Sequence, residues 1–386
     1  MNPKIKRWLV FTSLLLTLIV AFWGSRSYAQ GDYLWFRTTV DSEGNVGAHT
    51  SLALDGNIPS ISYFDASNSA LKYAHLVGST WQVETVDNTG YDGWSTSLAL
   101  DSAGHPHISY HEYHGGILKY AHHDGTTWQI EDVESYGARY GLYNSLALDS
   151  AGHPHIAYSK VGTSWSTLRY AYYDGTTWHK ETVDGLGDED VGYFVSLALD
   201  ADDHPHISYQ DVTNLNLRYA YYDGSTWHIE VVDSGLRVGY HTSLALDSAG
   251  HPHIAYYDDG ENTLNYAYYD GSAWHIERVV QFLYKAQISL ALDSNGHPHI
   301  GYCGEICPIE CEEGLYHAYY DGAAWHRERV DAGEITFASL ALDDEGQVHI
   351  GYYDADNGDL RYAHTISPSS LTNRLYLPLV VRNYQP

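Results

Sequence analysis

The sequence is poor in cysteine, in basic residues and in long apolar runs. Its 386 residues include three cysteines and 20 lysines and arginines, against 49 aspartates and glutamates, for a formal net charge of −29 at pH 7. This acidic excess repels nucleic acid and anionic lipid, so we exclude nucleic acid as a partner and expect neutral ligands, proteins or metal cations. Glycine-rich phosphate loops and the nucleophile elbow of serine hydrolases are also missing from the sequence.

One apolar run stands out, and it lies near the first residue. Trp8–Trp23 follows the basic residues Lys4, Lys6 and Arg7 and precedes a stretch of small residues at 27–29. This order predicts a secretory signal peptide over residues 1–29, since the run is shorter than the roughly 20 residues of a membrane span. A membrane anchor is the alternative. We expect a secreted or cell-surface monomer with no membrane insertion after removal of the signal.

A repeated pentapeptide organises the rest of the chain. Ser-Leu-Ala-Leu-Asp occurs seven times, at intervals of 46 to 51 residues. The copies begin at Ser51, Ser97, Ser145, Ser196, Ser243, Ser289 and Ser339. A period of this length indicates an array of similar units that share one continuous core.

Each unit contains four short strand signals, here named a to d. In the second unit they are Ser97 to Leu100, His107 to Tyr110, Leu118 to His122 and Trp128 to Val133, separated by turn residues. Four antiparallel strands repeated seven times predict an all-β fold, a seven-bladed β-propeller over residues 30–366.

The two ends of the repeat region predict how the ring closes. The seventh unit lacks its strand d, while Trp35 to Asp41 matches the strand d that begins at Trp178. The N-terminal strand is therefore expected to complete the last blade, which pairs edges that would otherwise be exposed.

The segment Tyr-Asp-Gly-x-x-Trp carries a resemblance to a known group of proteins. Asp124-Gly125-Thr126-Thr127-Trp128 and its copies at Asp174, Asp223, Asp270 and Asp321 resemble the Asp-box (BNR-type) propellers, which include the sialidases. The match is degenerate, because the residue between Asp and Gly is missing. In that family the motif is structural, so the resemblance implies a fold and not an activity. The arginine cluster and Tyr–Glu pair of sialidases find no match here.

Five His-Pro-His turns offer pairs of imidazoles with chelating geometry. They lie at His105/His107, His153/His155, His204/His206, His251/His253 and His297/His299. Residues i and i+2 of a strand project to one side and can hold zinc or copper. Since the pair recurs at the same turn of five blades with no third ligand beside it, we interpret it as turn chemistry and predict no metal site. The neighbouring Asp-Ser-Ala-Gly turns leave a structural calcium open as an alternative.

The tryptophans indicate one face of the ring as a candidate site. Of the eleven, two lie in the predicted signal peptide and seven begin the d strands, which leaves Trp94 in a d–a connection and Trp165 in a b–c loop. Both connections emerge on the same face. The other residues of this face that we predict to bind a ligand are Tyr91, Tyr143, Phe194, Tyr240, His241, Glu112, Asp211 and Asp258.

Aromatic rings beside carboxylates are typical of sugar sites, since rings stack on C–H faces and carboxylates accept from hydroxyls. The sequence therefore predicts a binding or scaffold module for a glycan or an extracellular protein. The alternative is a secreted glycan-degrading enzyme, hydrolase or lyase, with Glu112, Asp65 and Asp258 as candidate catalytic carboxylates. A third interpretation is a purely structural surface-layer component without a small-ligand site, in which the aromatics wedge between blades and the acids are solvated.

Two short segments complete the analysis. Cys303, Cys307 and Cys311 fall in one predicted loop, where an exported protein could join two of them in a disulfide. Residues 367–386 are predicted to form a linker and a tail that resembles the C-terminal sorting tails of some bacterial exported proteins; an extra capping strand is the alternative.

Overall fold

The computed structural model describes residues 33–135, 138–162, 164–187, 189–281, 283–307 and 312–366. The ring belongs to the unit of the chain that begins at Trp35. The predicted signal peptide and the predicted tail lie outside the described residues. In the described part of the chain, no helix is long and apolar enough to cross a membrane.

The described residues form 28 strands in seven four-stranded antiparallel sheets, as predicted. Blade 1 consists of β2 (Val46–Asp55), β3 (Ile58–Asp65), β4 (Ala70–Val77) and β5 (Thr80–Asp87). Blade 2 consists of β6 (Trp94–Leu100), β7 (Pro106–Glu112), β8 (Ile117–His123) and β9 (Trp128–Glu134). Blade 3 consists of β10 (Arg139–Leu148), β11 (Pro154–Val161), β12 (Ser166–Tyr173) and β13 (Trp178–Asp184).

The remaining blades repeat this order. Blade 4 consists of β14 (Val191–Leu199), β15 (Pro205–Asp211), β16 (Asn216–Tyr222) and β17 (Trp227–Asp233). Blade 5 consists of β18 (Tyr240–Leu246), β19 (Pro252–Asp258), β20 (Thr263–Tyr269) and β21 (Trp274–Gln281). Blade 6 consists of β22 (Leu283–Leu292), β23 (Pro298–Ile306), β24 (Glu312–Tyr320) and β25 (Trp325–Ala332). Blade 7 contains β26 (Ile335–Leu342), β27 (Val348–Asp354) and β28 (Asp359–Thr365).

The first strand completes the seventh blade. β1 (Trp35–Asp41) pairs antiparallel with β28, in the sheet order β1-β28-β27-β26. The register places Trp35 opposite Thr365 and Asp41 opposite Leu360. The predicted closure is therefore confirmed, and the blade uses strands from both ends of the repeat region.

A ring of hydrogen bonds explains why the pentapeptide begins with serine. In each blade the serine hydroxyl accepts a hydrogen bond from the backbone N–H of the pentapeptide's first leucine in the next blade, at 2.9 to 3.0 Å. The bond from Leu52 to Ser339 joins blade 1 to blade 7. Seven equivalent bonds thus run around the axis, and they supply partners for backbone donors that face a neighbouring sheet.

A polar contact further out joins most neighbouring blades. Tyr110, in strand b of blade 2, donates at 2.6 Å to Asp87 at the end of blade 1, and Lys119 lies 2.8 Å from the same carboxylate. Burial opposes the charge of Asp87, but these donors and the backbone N–H of Thr89 outweigh it and hold the pKa of Asp87 below its usual value. Arg169, Arg218 and Arg361 take the place of Lys119 in their blades, as predicted.

The His-Pro-His turns are held by contacts within each blade, as predicted. In blade 2, Asp101 accepts hydrogen bonds from the backbone N–H groups of Ala103 and His105 at 2.9 and 2.8 Å. His107 hydrogen-bonds through Nδ1 to the hydroxyl of Tyr120, and burial lowers the pKa of His107 to about 4. The imidazole is therefore neutral and has a structural partner.

The degenerate Asp-box also acts structurally. Asp174 accepts from the backbone N–H groups of Thr176 and Thr177 at 2.8 Å, which closes the c–d hairpin, and its other oxygen lies 2.6 Å from His179 Nε2. The copies at Asp223 and Asp270 make the same contacts. The resemblance to Asp-box propellers thus holds at the level of the fold.

The cysteine prediction was wrong for one residue. Cys303 lies in strand β23 and not in a loop, is 1% exposed, and is free. Its backbone continues the b strand, so its side chain packs in the core, and burial raises the pKa of Cys303 to about 11. Cys307 is disulfide-bonded, while Cys311 lies outside the described residues.

Candidate functional site

The a strands extend further towards the d–a loops than the sequence indicated. Tyr143, Phe194 and His241 lie inside strands β10, β14 and β18, where loops were expected, and Trp94 and Tyr240 are the first residues of their strands. A register shift between each a and b strand, just before the serine, allows the strand to continue as a bulge. These bulges bring side chains to the axis of the ring.

A cavity of about 290 Å³ lies on the axis where the seven bulges meet. Each a strand contributes two residues to its wall. The outer column of seven, which stands two positions before each pentapeptide serine, consists of His49, Ser95, Tyr143, Phe194, His241, Gln287 and Phe337. Sequence reasoning found three of these residues and missed the other four, although their constant offset from the repeat was a signal.

The outer column is rich in aromatic rings, and these rings contact one another across blades. Phe194 lies 4.8 Å from Tyr143 and 4.3 Å from His241, measured between ring centroids. On the other side, His49 lies 4.4 Å from Phe337 and 4.9 Å from Trp94. Two arcs of rings therefore border the cavity, and the polar side chains of Ser95 and Gln287 separate them.

Five of the seven axial residues have a left-handed backbone. The φ angles are +56° at His49, +49° at Ser95, +52° at Phe194, +50° at His241 and +53° at Phe337. Such angles cost a non-glycine residue on the order of 1 kcal/mol or more, and they persist where the surrounding structure imposes them. Glycine would relieve this strain, yet each of the five positions carries a side chain that faces the cavity.

The axial imidazoles are uncharged at neutral pH. Burial, with a contribution from nearby His111, lowers the pKa of His49 to about 4. Burial alone lowers the pKa of His241 to about 4. Each ring therefore offers one donor and one acceptor without a positive charge.

A second aromatic group connects the cavity to the rim of the same face. Trp94 contacts Tyr113 at 5.0 Å and Tyr91 at 6.1 Å, and Tyr91 lies 5.4 Å from His114. The Trp94 indole N–H is buried and has no hydrogen-bond partner among the described residues. Tyr113, which the sequence analysis did not select, is 37% exposed.

Trp165 lies apart from this group. It stands in the b–c loop of blade 3, where its carbonyl accepts from the backbone N–H of Gly162 at 3.0 Å, and it is 46% exposed. The structure gives it no aromatic contact to the outer column. Its predicted role in ligand binding stays a prediction.

The predicted carboxylates have partners in their own loops. Glu112 accepts from the backbone N–H groups of His114 and Gly115, and Asp258 accepts from that of Glu261 at 2.9 Å. Asp65 and Asp211 make the corresponding contacts with Asn68 and Asn214. All four are buried at the last residue of a b strand, so each has a structural role in shaping its b–c loop.

One group of residues has the composition of a cation site. Asp200, Asp202 and His204 lie together at the a–b turn of blade 4. Asp200 Oδ1 accepts from the backbone N–H groups of Asp202 and His204 at 2.9 and 2.8 Å. These contacts are those of the other His-Pro-His turns, so the turn itself explains the group, and a structural calcium remains an untested expectation.

Comparison with known proteins gives a likeness of fold. No protein-family model and no curated protein matches the chain. An ulvan lyase of polysaccharide lyase family PL25, solved bound to -[GlcA(1-4)Rha3S]-, is 15% identical, with a TM-score of 0.59 over 88% of this chain and 99% of that one. A copper-bound fungal alcohol oxidase of the AA5 family is 10% identical, with a TM-score of 0.58 over 88% and 77%.

A lectin is also similar. The Aleuria aurantia lectin in complex with Fucα1-6GlcNAc is 14% identical, with a TM-score of 0.52 over 74% of this chain and 94% of that one. At these identities the likeness extends to the architecture and not to individual site residues. The chain is a seven-bladed β-propeller, and its site must be argued from its own side chains.

Proposed function

We propose that this protein is an exported propeller that binds a glycan at the axial cavity and the adjoining aromatic surface. The observation that carries the proposal is the convergence of Tyr143, Phe194 and His241 with His49 and Phe337 around one opening. Other supporting facts are the acidic charge, which disfavours polyanionic partners, and the likeness in fold to a lectin and to ulvan lyases.

The chemistry of the cavity suits a neutral or weakly polar sugar. Aromatic faces accept the C–H side of a pyranose ring, while hydroxyls need short-range donors and acceptors. Ser95, Gln287 and the two neutral imidazoles supply both kinds of group between the rings. Strained backbone at five of the seven positions is a further reason to assign function here, because strain concentrates at binding sites.

A glycan array followed by calorimetry with the best ligand tests the proposal. Phe194→Leu removes the central ring of one arc but keeps an apolar side chain, and we expect affinity to fall about tenfold or more, as for a buried aromatic contact. Phe36→Ala is the matched control, since Phe36 is 42% exposed on the outermost strand β1. Equal affinities for the Phe194 variant and the control would reject the axial site.

The predicted rim residues need a separate variant. Trp94→Ala/Trp165→Ala removes both tryptophans outside the d-strand series and tests whether a longer glycan extends from the axis. We expect weaker binding of oligosaccharides and little change for a monosaccharide. If binding of both is unchanged, the rim takes no part.

The alternative is a secreted glycan-degrading enzyme that uses carboxylates of the same face. Glu112, Asp65 and Asp258 already accept hydrogen bonds from their own loops, which favours a structural role over catalysis for these residues. Release of reducing ends or of unsaturated products from polysaccharide mixtures, abolished by Glu112→Gln, would support the enzyme instead.

A further inference from the structure

A second set of cavities lies on the opposite face, where the a–b turns and the c–d hairpins emerge. Three of them stand between successive blades, 3 and 4, 4 and 5, and 5 and 6, with volumes of about 430, 190 and 200 Å³. We call them the inter-blade pockets. They are built from the same positions of the repeat, so one chemical site occurs three times.

The pocket between blades 4 and 5 illustrates how aromatic side chains are arranged in all three. Tyr221, at the end of a c strand, stacks on His228 with ring centroids 4.9 Å apart and an 18° interplanar angle. Trp274 of the next blade packs edge to face against Tyr219, with ring centroids 5.4 Å apart and an interplanar angle of 73°. Tyr269 contributes a second hydroxyl to the wall. Aromatic rings thus form the floor and one side of a recess that opens to solvent.

Each inter-blade pocket also holds a carboxylate in a fixed position. Trp274 Nε1 donates to Glu230 across the blade interface at 3.0 Å, and the equivalent bonds from Trp227 to Glu181 and from Trp325 to Glu277 measure 3.1 and 2.8 Å. The indole hydrogen bond uses one oxygen of each glutamate. Burial, together with nearby Glu230, raises the pKa of Tyr221, so its phenol stays protonated and can donate.

The interfaces between blades 1 and 2 and between blades 2 and 3 differ at these positions. His75 and His122 replace the stacked tyrosine, and the Trp128 and Trp178 indole N–H groups are buried without hydrogen-bond partners in the described part of the chain. Glu84 and Glu131 are still present there. The stacked tyrosine and the tryptophan–glutamate bond occur together at the three inter-blade pockets. Between blades 6 and 7, Tyr319 stacks on His326, but the Trp35 indole N–H is buried without a hydrogen-bond partner among the described residues.

We propose that the three inter-blade pockets are equivalent subsites, each for one neutral monosaccharide unit. Stacked aromatic rings accept the apolar face of a pyranose, and a carboxylate oxygen with two phenols can bind its hydroxyls. The volumes of the two smaller pockets fall below those of drug-sized ligand sites, which fits a single ring. The carboxylate and the net charge of −29 disfavour acidic sugars.

The inter-blade pockets are independent of the axial cavity, since they lie on the other face and share no residue with it. Three weak sites on one rigid ring would bind a branched or repetitive glycan much more tightly than one site does, because the second and third contacts are intramolecular.

Calorimetry and saturation-transfer NMR with methyl glycosides of neutral hexoses and of fucose test the proposal on the full chain. We expect binding of three equivalents on this face, and about tenfold weaker binding in Glu181→Gln/Glu230→Gln/Glu277→Gln, where each amide oxygen still accepts from its tryptophan. Tyr172→Phe/Tyr221→Phe/Tyr268→Phe is the second variant and removes only hydroxyls. Glu84→Gln/Glu131→Gln is the matched control and should leave binding unchanged.

The axial variant Phe194→Leu separates the two proposals. Loss of binding in the triple glutamate variant with retention in Phe194→Leu supports the inter-blade pockets, whatever the axial cavity binds. Equal affinity and stoichiometry in the wild type and the triple variant would overturn the proposal. So would an absence of binding by every neutral glycoside, or binding of choline alone, since an aromatic site beside a carboxylate can also hold a quaternary ammonium.

Discussion

Two tyrosine-to-phenylalanine substitutions at equivalent positions of the repeat should differ sharply in cost. Tyr110 and Tyr302 are both fully buried in b strands. Tyr110 donates to Asp87 at 2.6 Å, whereas at the interface of blades 5 and 6 Val280 occupies the position of that acid. The buried Tyr302 hydroxyl has no hydrogen bond of ordinary geometry among the described residues, and the Arg327 side chain near it opposes the effect of burial on the pKa of Tyr302. Phenylalanine therefore removes a hydrogen bond to a charged carboxylate at one site and only a weak interaction with Arg327 at the other.

The magnitudes follow from these contacts. A buried hydrogen bond to a charged group is worth about 1.5 to 3 kcal/mol, and Asp87 keeps Lys119 and Thr89 as donors, so we expect Tyr110→Phe to cost about 2 kcal/mol. For Tyr302→Phe we expect roughly zero change, because the cost of burying the hydroxyl offsets its weak interaction with Arg327. Unfolding entropy of about 2.1 cal/mol/K per residue over the ring converts 2 kcal/mol into about 3 °C.

Thermal and urea unfolding of the two variants beside the wild type measure this difference. Equal m-values in urea would show that the compared states bury the same surface. The expected result is a lower melting temperature for Tyr110→Phe alone. If both variants lose the same stability, the polar contact does not hold the blades together, and packing of the ring accounts for both losses.

Three further outcomes are expected. Ser97→Ala removes the acceptor of the Leu146 N–H, which lies 3.0 Å away, and should lower stability by about 1 to 2 kcal/mol in urea unfolding. His107 and His241 have pKa values lowered to about 4 in the folded protein. Their contribution to the free energy of unfolding should therefore be complete above pH 6.5 and should fall as the pH drops towards 4, by up to about 1.4 kcal/mol per pH unit for each histidine. Melting curves across this range would show the loss. Cys303, with its raised pKa, should resist alkylation at pH 8 until the protein is unfolded, as mass spectrometry can show.

The ring could be predicted from the sequence because the repeated residues make the same contacts in each blade and with each adjacent blade. Trp35 to Asp41 could be assigned to the last blade since the same tryptophan begins every repeat's d strand and an aspartate follows six residues later in five of the seven. The serine of the pentapeptide and the aspartate of the a–b turn recur for the hydrogen bonds they make. Repetition therefore identifies the residues that hold the blades together, and it does so without any structure.

The outer column of the axial cavity could not be found from the repeat in this way, because its residues share no chemical property. His49, Ser95, Gln287 and Phe337 look unrelated in the sequence, and only the bulge, which is left-handed at all of them except Gln287, brings them to a common cavity. The carboxylates show the opposite difficulty. A carboxylate equivalent to Glu112 occurs at the end of other b strands. Composition alone does not distinguish an acid that binds a ligand from one that accepts hydrogen bonds from its own loop.

The two positions before each pentapeptide serine have different roles in the wall of the axial cavity. The inner position directly precedes the serine, and the outer position comes one residue earlier. The inner position packs into the ring: Thr96 donates to the carbonyl of His49 in the preceding blade at 3.0 Å, and Thr242 donates to that of Phe194 at 2.7 Å. These bonds hold the left-handed backbone at His49 and Phe194 through carbonyl oxygens and not through the side chains of these residues. The outer column can therefore change from histidine to serine, tyrosine or phenylalanine without loss of the ring. Since its chemistry varies while its backbone is fixed, the outer column is the part of the axis that can be adapted to a ligand.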